Sequence, residues 1–281
     1  MKKTVRSAIL GALALAATPA ASFAGGAGTI SELQPGISTG IPLGAPLPQG
    51  IFDVTIGNYG RSNPSPGNVD QLGAVAPAWL IWSTPWTIAG GRVLLDTVQP
   101  WVGATVKGGP YLSDFGNRLF DAQLKWDLGG GFFGGFQAGV YVPSAGVTPI
   151  GRDMTSFQGV AALSYLKDGW DLSATMIYGN GGTDSNGVWY SDWLNLDLTA
   201  TRKFGKWELG LVGYYSTDLN GTSKLSQFAL GPLVGYDFGW VNAQFKFTRD
   251  VYEQNYGGYD NRAWLNLTFP LWVAQKDAPL K

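Results

Sequence analysis

From Ile51 to Trp272 the chain alternates apolar and polar residues with a period of two, the pattern of strands whose two faces meet different surroundings. The alternation predicts strands over 51–59, 73–84, 88–98, 119–127, 132–143, 157–166, 170–180, 191–204, 207–218, 226–238, 240–251 and 262–272. In 119–127, for example, Phe120, Ala122, Leu124 and Trp126 alternate with Asp121, Gln123, Lys125 and Asp127. The connections alternate too. Short ones fall at Pro85–Thr87, Leu128–Gly131, Lys167–Gly169, Gly205–Lys206 and Gly239; long ones fall at 60–72, 99–118, 144–156, 181–190, 219–225 and 252–261. An even number of antiparallel strands with short turns at one end and longer loops at the other predicts an all-β, transmembrane antiparallel β-barrel. It has about 12 strands over 51–272, short periplasmic turns and longer extracellular loops. Trp101 to Lys107 either extends the third strand or forms another, so the count is open by two.

Alternation alone also suits a soluble sandwich. The tryptophans separate the two. Trp86, Trp126, Trp170, Trp207, Trp240 and Trp272 all lie beside a short turn or the C-terminal end. That places them at one height, as a membrane-interface girdle. Lipid satisfies no backbone N–H or C=O, so such strands must close into a cylinder, apolar faces outward and polar faces toward a lumen. On this phase assignment the inward charges are Asp53, Arg92, Asp96, Asp121, Lys125, Asp127, Asp171, Asp197, Glu208, Asp237, Lys246 and Arg262, eight acidic and four basic. They line a narrow polar pore with a mild cation preference, or they fill a small barrel with ion pairs; both readings stand. Pro232, inside a predicted strand, removes one ladder donor and marks a candidate lateral exit through the wall.

Residues 1–24 read as a signal peptide: Met1-Lys2-Lys3 and Arg6, an apolar run from Ala8 to Ala17, and Ser22-Phe23-Ala24 before a cut. The predicted location is the bacterial outer membrane. Residues 25–50 form a Pro/Gly-rich arm with neither helical nor strand period. The arm is either a plug inside the barrel or a mobile periplasmic tail. Residues 273–281 form a C-terminal tail beyond the barrel.

Composition narrows the function. Charged residues make up 14% of the 281, against about 25% in soluble domains. There is no Cys and no His, which excludes disulfides, thiolate metal sites, Ser-His-Asp and Cys-His catalysis and the usual zinc sites. No catalytic residue, cofactor or metal is expected, and the chain is read as not an enzyme. A net charge of −1 gives no reason to expect nucleic acid as a partner. The partners expected are outer-membrane lipid and a small-molecule solute, with the oligomeric state open. Gly129-Gly130-Gly131-Phe132-Phe133-Gly134 matches a nucleotide-loop spelling, but a strand follows it instead of a helix. Asn180 to Asn186 and Asp218 to Gly221 lack a full set of calcium ligands. Tyr252 to Asp260 mixes aromatics with acids and reads as the upper girdle.

The C-terminal half carries a family likeness. Gly169-Trp170-Asp171-Leu172-Ser173-Ala174, Tyr190 to Asp197, Gly210-Leu211-Val212-Gly213-Tyr214-Tyr215 and Ala229 to Gly239 together resemble the "MetA-pathway of phenol degradation" family of outer-membrane proteins. The likeness covers 155–272 well and 73–143 loosely. It implies an outer-membrane transporter for passive uptake of small solutes, with hydrophobic or aromatic compounds as the substrate class. It carries over no substrate residues. The alternative is a structural or adhesive barrel with a blocked lumen. One departure is the extension beyond Trp272, where many barrels end in an aromatic residue.

Overall fold

The computed structural model describes residues 32–62, 69–75, 79–106, 111–143, 152–221, 224–255 and 258–274. The expected signal peptide, the first residues of the arm and most of the C-terminal tail lie outside the described residues.

The strands are β1 (Gly50–Ser62), β2 (Val69–Val75), β3 (Trp79–Ile88), β4 (Gly91–Val98), β5 (Trp101–Val106), β6 (Tyr111–Phe115), β7 (Arg118–Gly129), β8 (Phe132–Val142), β9 (Ser156–Lys167) and β10 (Trp170–Gly179). They continue with β11 (Gly182–Thr183), β12 (Trp189–Tyr190), β13 (Trp193–Phe204), β14 (Trp207–Asp218), β15 (Ser226–Asp237), β16 (Asn242–Gln254) and β17 (Asp260–Val273). β17 pairs antiparallel with β1, from Gly50 against Val273 to Ser62 against Asp260, and this closes the sheet. The closed circuit β1-β3-β4-β7-β8-β9-β10-β13-β14-β15-β16-β17 has twelve strands and no free edge.

Three staves carry a second strand segment beyond the one the alternation predicts. β1 pairs β3 through Gly50–Asp53 and β2 through Ile56–Ser62, so β2 and β3 are two halves of one stave. β5 and β6 extend β4 and β7 in the same way. The segments read as loops at 60–72 and 99–118 therefore hold strand, and Trp101–Val106 extends the third stave. The break between β4 and β5 comes at Gln99-Pro100, where proline supplies no donor. It is satisfied locally: Gly116 N–H donates to the Pro100 carbonyl at 2.9 Å, and the Gln99 amide donates to the Gly116 carbonyl at 2.8 Å.

The first short turn sits at Ala89-Gly90, beyond the expected Pro85–Thr87. Ala89 (φ 48°) and Gly90 (φ 77°) make it, both left-handed, as a two-residue hairpin matched to strand twist requires. Pro85 instead lies in a register break between Ser83 and Thr87, where its missing donor costs no ladder bond.

The pleat sorts the faces. Phe120, Phe136, Leu163, Leu172, Leu211, Phe245 and Leu265 are exposed on the outer wall. The girdle tryptophans Trp86, Trp170, Trp207, Trp240 and Trp272 are exposed at the short-turn end, and Trp126 is half-buried there with its indole N–H on the Ala89 carbonyl. Asp53 departs from its predicted phase. Phe52, Val54 and Ile56 are the inward set of β1, so Asp53 stands on the opposite face beside Leu80, where its side chain is nonetheless buried and accepts a hydrogen bond from the Thr55 hydroxyl at 2.9 Å. The reason is that the interior at this height is apolar, which inverts the polar-in rule.

Candidate functional site

What makes the interior apolar is the arm. Residues 32–49 run inside the barrel from the long-loop end to the short-turn end. At the long-loop end the Asn117 amide donates to the Glu32 carboxylate at 2.8 Å, and the Ser156 hydroxyl donates to the same carboxylate. Burial pushes the Glu32 carboxyl up, against the opposing pull of the Arg152 guanidinium. At the other end the Ala274 N–H donates to the Gln49 carbonyl at 2.9 Å, and the Ser83 hydroxyl donates to the Leu47 carbonyl at 2.9 Å.

Between these ends the arm forms consecutive tight turns, with Thr39 N–H on the Gly36 carbonyl at 3.2 Å and Ile41 N–H on the Ser38 carbonyl at 3.0 Å. Gly36 and Gly40 both have left-handed φ, 86° and 81°. A Cβ at Gly36 would lie 2.4 Å from the Tyr214 ring, and one at Gly40 would lie 2.6 Å from the Gln244 amide. Glycine is needed there for conformation and for space.

One wall grips the backbone of these turns. Asp197 on β13 accepts the N–H of Gly36 at 3.0 Å, the N–H of Ser38 at 2.9 Å and the Ser38 hydroxyl at 2.7 Å. Thr199 accepts the Gly40 N–H at 2.8 Å. From β16, Lys246 donates to the carbonyl and hydroxyl oxygens of Thr39, each at 2.8 Å, and lies 4.8 Å from the centroid of the Trp264 ring. Gln244 donates to the Gly40 carbonyl at 2.8 Å and to Glu208 at 3.0 Å. The backbone groups of Gly36, Ser38, Thr39 and Gly40 thus find partners although the segment has no regular structure, which burial demands.

Most of the surface that receives the side chains lies on the opposite wall, with Tyr214, Ala229 and Trp264 joining it from β14, β15 and β17. Ile37 and Leu43 pack in one cluster with Phe52, Val54, Ile56, Trp79, Ile81, Val98, Leu119 and Tyr141. A residual cavity of about 30 Å³ remains between Ile37, Leu43 and this wall, room for a water or two. Asp96 and Asp121 border it from paired positions. Asp96 accepts the Trp79 indole N–H at 2.6 Å and the Gln123 amide at 2.8 Å.

The sequence-predicted lumen residues distribute as follows. Asp96, Asp121, Lys125, Asp171, Asp197, Glu208, Lys246 and Arg262 are buried inside, and Arg92 is half-buried with its guanidinium on the Thr84 carbonyl at 2.8 Å. Asp197, Glu208 and Lys246 converge on the arm. Arg262 instead pairs with Asp260 at 2.9 Å and donates to Asn58 at 2.6 Å, nearer the long-loop end. Asp127 and Asp237 sit exposed at the rim, accepting the N–H of Gly129 and Gly239 in their turns. At Pro232 the β15–β16 ladder skips Gly231 and Pro232 and resumes at Leu233 in the same register. There a Cβ at Gly231 would meet the Phe247 carbonyl at 1.6 Å, so the two backbones are closely apposed.

The alternation missed the interior aromatics. Trp79, Trp193, Trp264, Tyr141 and Tyr214 are buried in the bore. The signal was in the phase: Trp193 precedes Asn195 and Asp197, and Trp264 stands between Arg262 and Asn266, at inward positions.

The chain belongs to the family described as "Putative MetA-pathway of phenol degradation", whose model matches residues 58–267. No curated protein matches it. Among solved structures it is similar to an outer membrane channel from Pseudomonas putida F1, with a TM-score of 0.66 at 13% identity over 79% of this chain and 96% of that one. It also aligns with a FadL homologue of Pseudomonas aeruginosa, with a TM-score of 0.47 at 8% identity over 89% of this chain and 98% of that one.

Proposed function

We propose that this member of the family is an outer-membrane channel for the passive uptake of small solutes, closed at rest by its own N-terminal arm. The observation that carries the reading is the threaded arm, held within the bore by hydrogen bonds and apolar contacts. A barrel built only as a scaffold has no use for a separate segment with a polar latch on one side. The shared fold of the Pseudomonas putida channel and the family membership support the same reading.

Aromatic or other hydrophobic compounds are the proposed solutes. The wall facing Ile37 and Leu43 is apolar and aromatic, with Trp79 and Tyr141 beside the acidic pair Asp96 and Asp121. A solute that replaces the arm there meets the same apolar surface plus a few oriented polar groups, the usual make-up of a small-molecule site. The short turns face the periplasm, the long loops the outside, and residues 1–24 direct export and are cleaved.

The test is single-channel conductance in a planar bilayer. The chain has no native cysteine, so Ser38→Cys with Asp197→Cys places one pair where oxygens lie 2.7 Å apart. The oxidised protein is expected to be silent and the reduced protein to conduct. Steady conductance of the wild type, unchanged by locking the pair, overturns the closed-at-rest reading. Silence of both forms, and of a chain lacking residues 25–49, favours the structural barrel with a blocked lumen.

A further inference from the structure

The outer wall is not evenly convex. Across β9, β10, β13, β14 and β15 it carries an open apolar groove of about 860 Å³. Its floor includes the small residues Ala174, Ala200 and Gly213 with the half-buried Leu198 between them, and taller side chains such as Leu163 and Leu211 flank it. The floor residues share one outward phase: Ala174 stands opposite Leu198, Leu198 opposite Gly213, and Ala200 opposite Leu211. Elsewhere the belt is built from side chains as large as Phe120, Phe136 and Phe245.

The groove has a charged end. One pleat below its floor, at the girdle, Trp170 is cross-strand neighbour to both Lys167 and Arg202, and all three are exposed. The Arg202 guanidinium lies 5.3 Å from the centroid of Trp170 and 5.5 Å from that of Phe204, so two aromatic rings hold it at the height of lipid headgroups. An apolar slot in a bilayer meets acyl chains, and a cation pair at its interfacial end meets whatever anion those chains carry.

We propose that this groove is a binding site for one anionic phospholipid of the periplasmic leaflet. An acyl chain lies along Ala174, Ala200 and Gly213, and the phosphate is held by Lys167 and Arg202. The proposal rests on the outer-membrane reading, but it concerns the outside of the wall and is independent of the arm. It commits to phospholipid because the cations stand at the short-turn end, where the periplasmic leaflet lies.

The experiment is native mass spectrometry and thermal unfolding of the full-length barrel, exchanged between phosphatidylglycerol and phosphatidylcholine. The wild type is expected to retain one phosphatidylglycerol with a preference of roughly tenfold or more, the scale two interfacial cations supply. Lys167→Gln with Arg202→Gln is expected to abolish the preference while some of either lipid is retained. Ala200→Phe fills the slot from the lipid side and is expected to abolish retention of both lipids. Equal retention of both lipids by the wild type overturns the assignment, as does a preference that survives the double variant. Equal stabilisation by inorganic phosphate assigns the cations to a free anion and overturns it too. A stable dimer that Ala200→Phe dissolves gives the groove to a second copy. If the protein fails to insert into bilayers at all, the membrane reading itself falls; if it inserts and shows no lipid selectivity, only the groove assignment falls.

Discussion

The two walls that enclose the arm hold it by opposite means. The β13–β16 wall uses Asp197, Thr199, Gln244 and Lys246 to bind the backbone of residues 36–40. The β1–β8 wall uses Phe52, Trp79, Val98, Leu119 and Tyr141 to bury the side chains of Ile37 and Leu43. The polar wall is directional: each bond requires one turn geometry, so it sets where the arm sits. The apolar wall is not directional and roughly proportional to area, so it tolerates sliding. On the proposed function, such a segment releases when the polar bonds exchange, and an apolar solute competes for the other side without imitating a peptide. The difference separates a latch from a bearing surface.

The largest break is expected at the latch. Asp197→Ala leaves three donors of the arm unmatched inside the barrel and removes an anion near Lys246. Hydrogen bonds to a charged group contribute about 1.5–3 kcal/mol each and are not additive, so a loss of about 3 kcal/mol or more in arm docking is expected. Frequent channel opening in planar bilayers, with the barrel's heat resistance on gels retained, is the expected signature. Silence of this variant would mean the latch does not hold the arm.

Truncation on the apolar side comes next. Ile37→Ala removes a side chain 6% exposed and is expected to cost about 2 kcal/mol, the low end for buried truncations because the arm can settle. Protease accessibility of the arm should rise less than for Asp197→Ala. If the two variants open the barrel equally, the contrast between the walls is wrong.

A smaller effect follows from Glu32. Its carboxyl has an ordinary value near 4.3 on a released arm and a raised one when docked. Between those values the docked state binds more protons than the released state, so docking weakens as pH rises through that window. Its contribution is fully present below the ordinary value and lost above the raised one. Opening should be more frequent at the alkaline end, and Glu32→Gln should flatten the dependence. The opposite slope would place the Glu32 side chain elsewhere.

The last prediction concerns direction alone. With no native cysteine to interfere, Glu32→Cys should be reached by a membrane-impermeant thiol reagent from outside, and the exposed Pro48→Cys from the periplasm. Reversed accessibility would invert the threading.

Much of this molecule was legible in its sequence. The period-two alternation, the alternating connection lengths and the Trp positions pointed to a closed barrel of twelve strands, because each signal is local and each follows from a lipid solvent. The alternation also put Asp96, Lys125, Asp197, Glu208 and Lys246 inside. What period two did not carry is what the inside holds. Polar residues lining a wet lumen would put Asp53 inward, yet Phe52, Val54 and Ile56 take the interior because Ile37 and Leu43 lie against them. The first half of β2 and all of β6 read as loop, since Gly and Pro flank them, whereas Trp101 to Lys107 already offered an extension of the third strand.

The sequence by itself determined the fold class, a closed antiparallel barrel of about twelve staves, and the alternation of its two faces. Only the tertiary structure decided that Gly36 and Ser38 meet Asp197 about 160 positions away and that Arg202 stands at the mouth of an outer groove. The reason is closure. Alternation along a strand is set by neighbours two residues apart, whereas the contents of the bore depend on which staves face one another once the ends have joined.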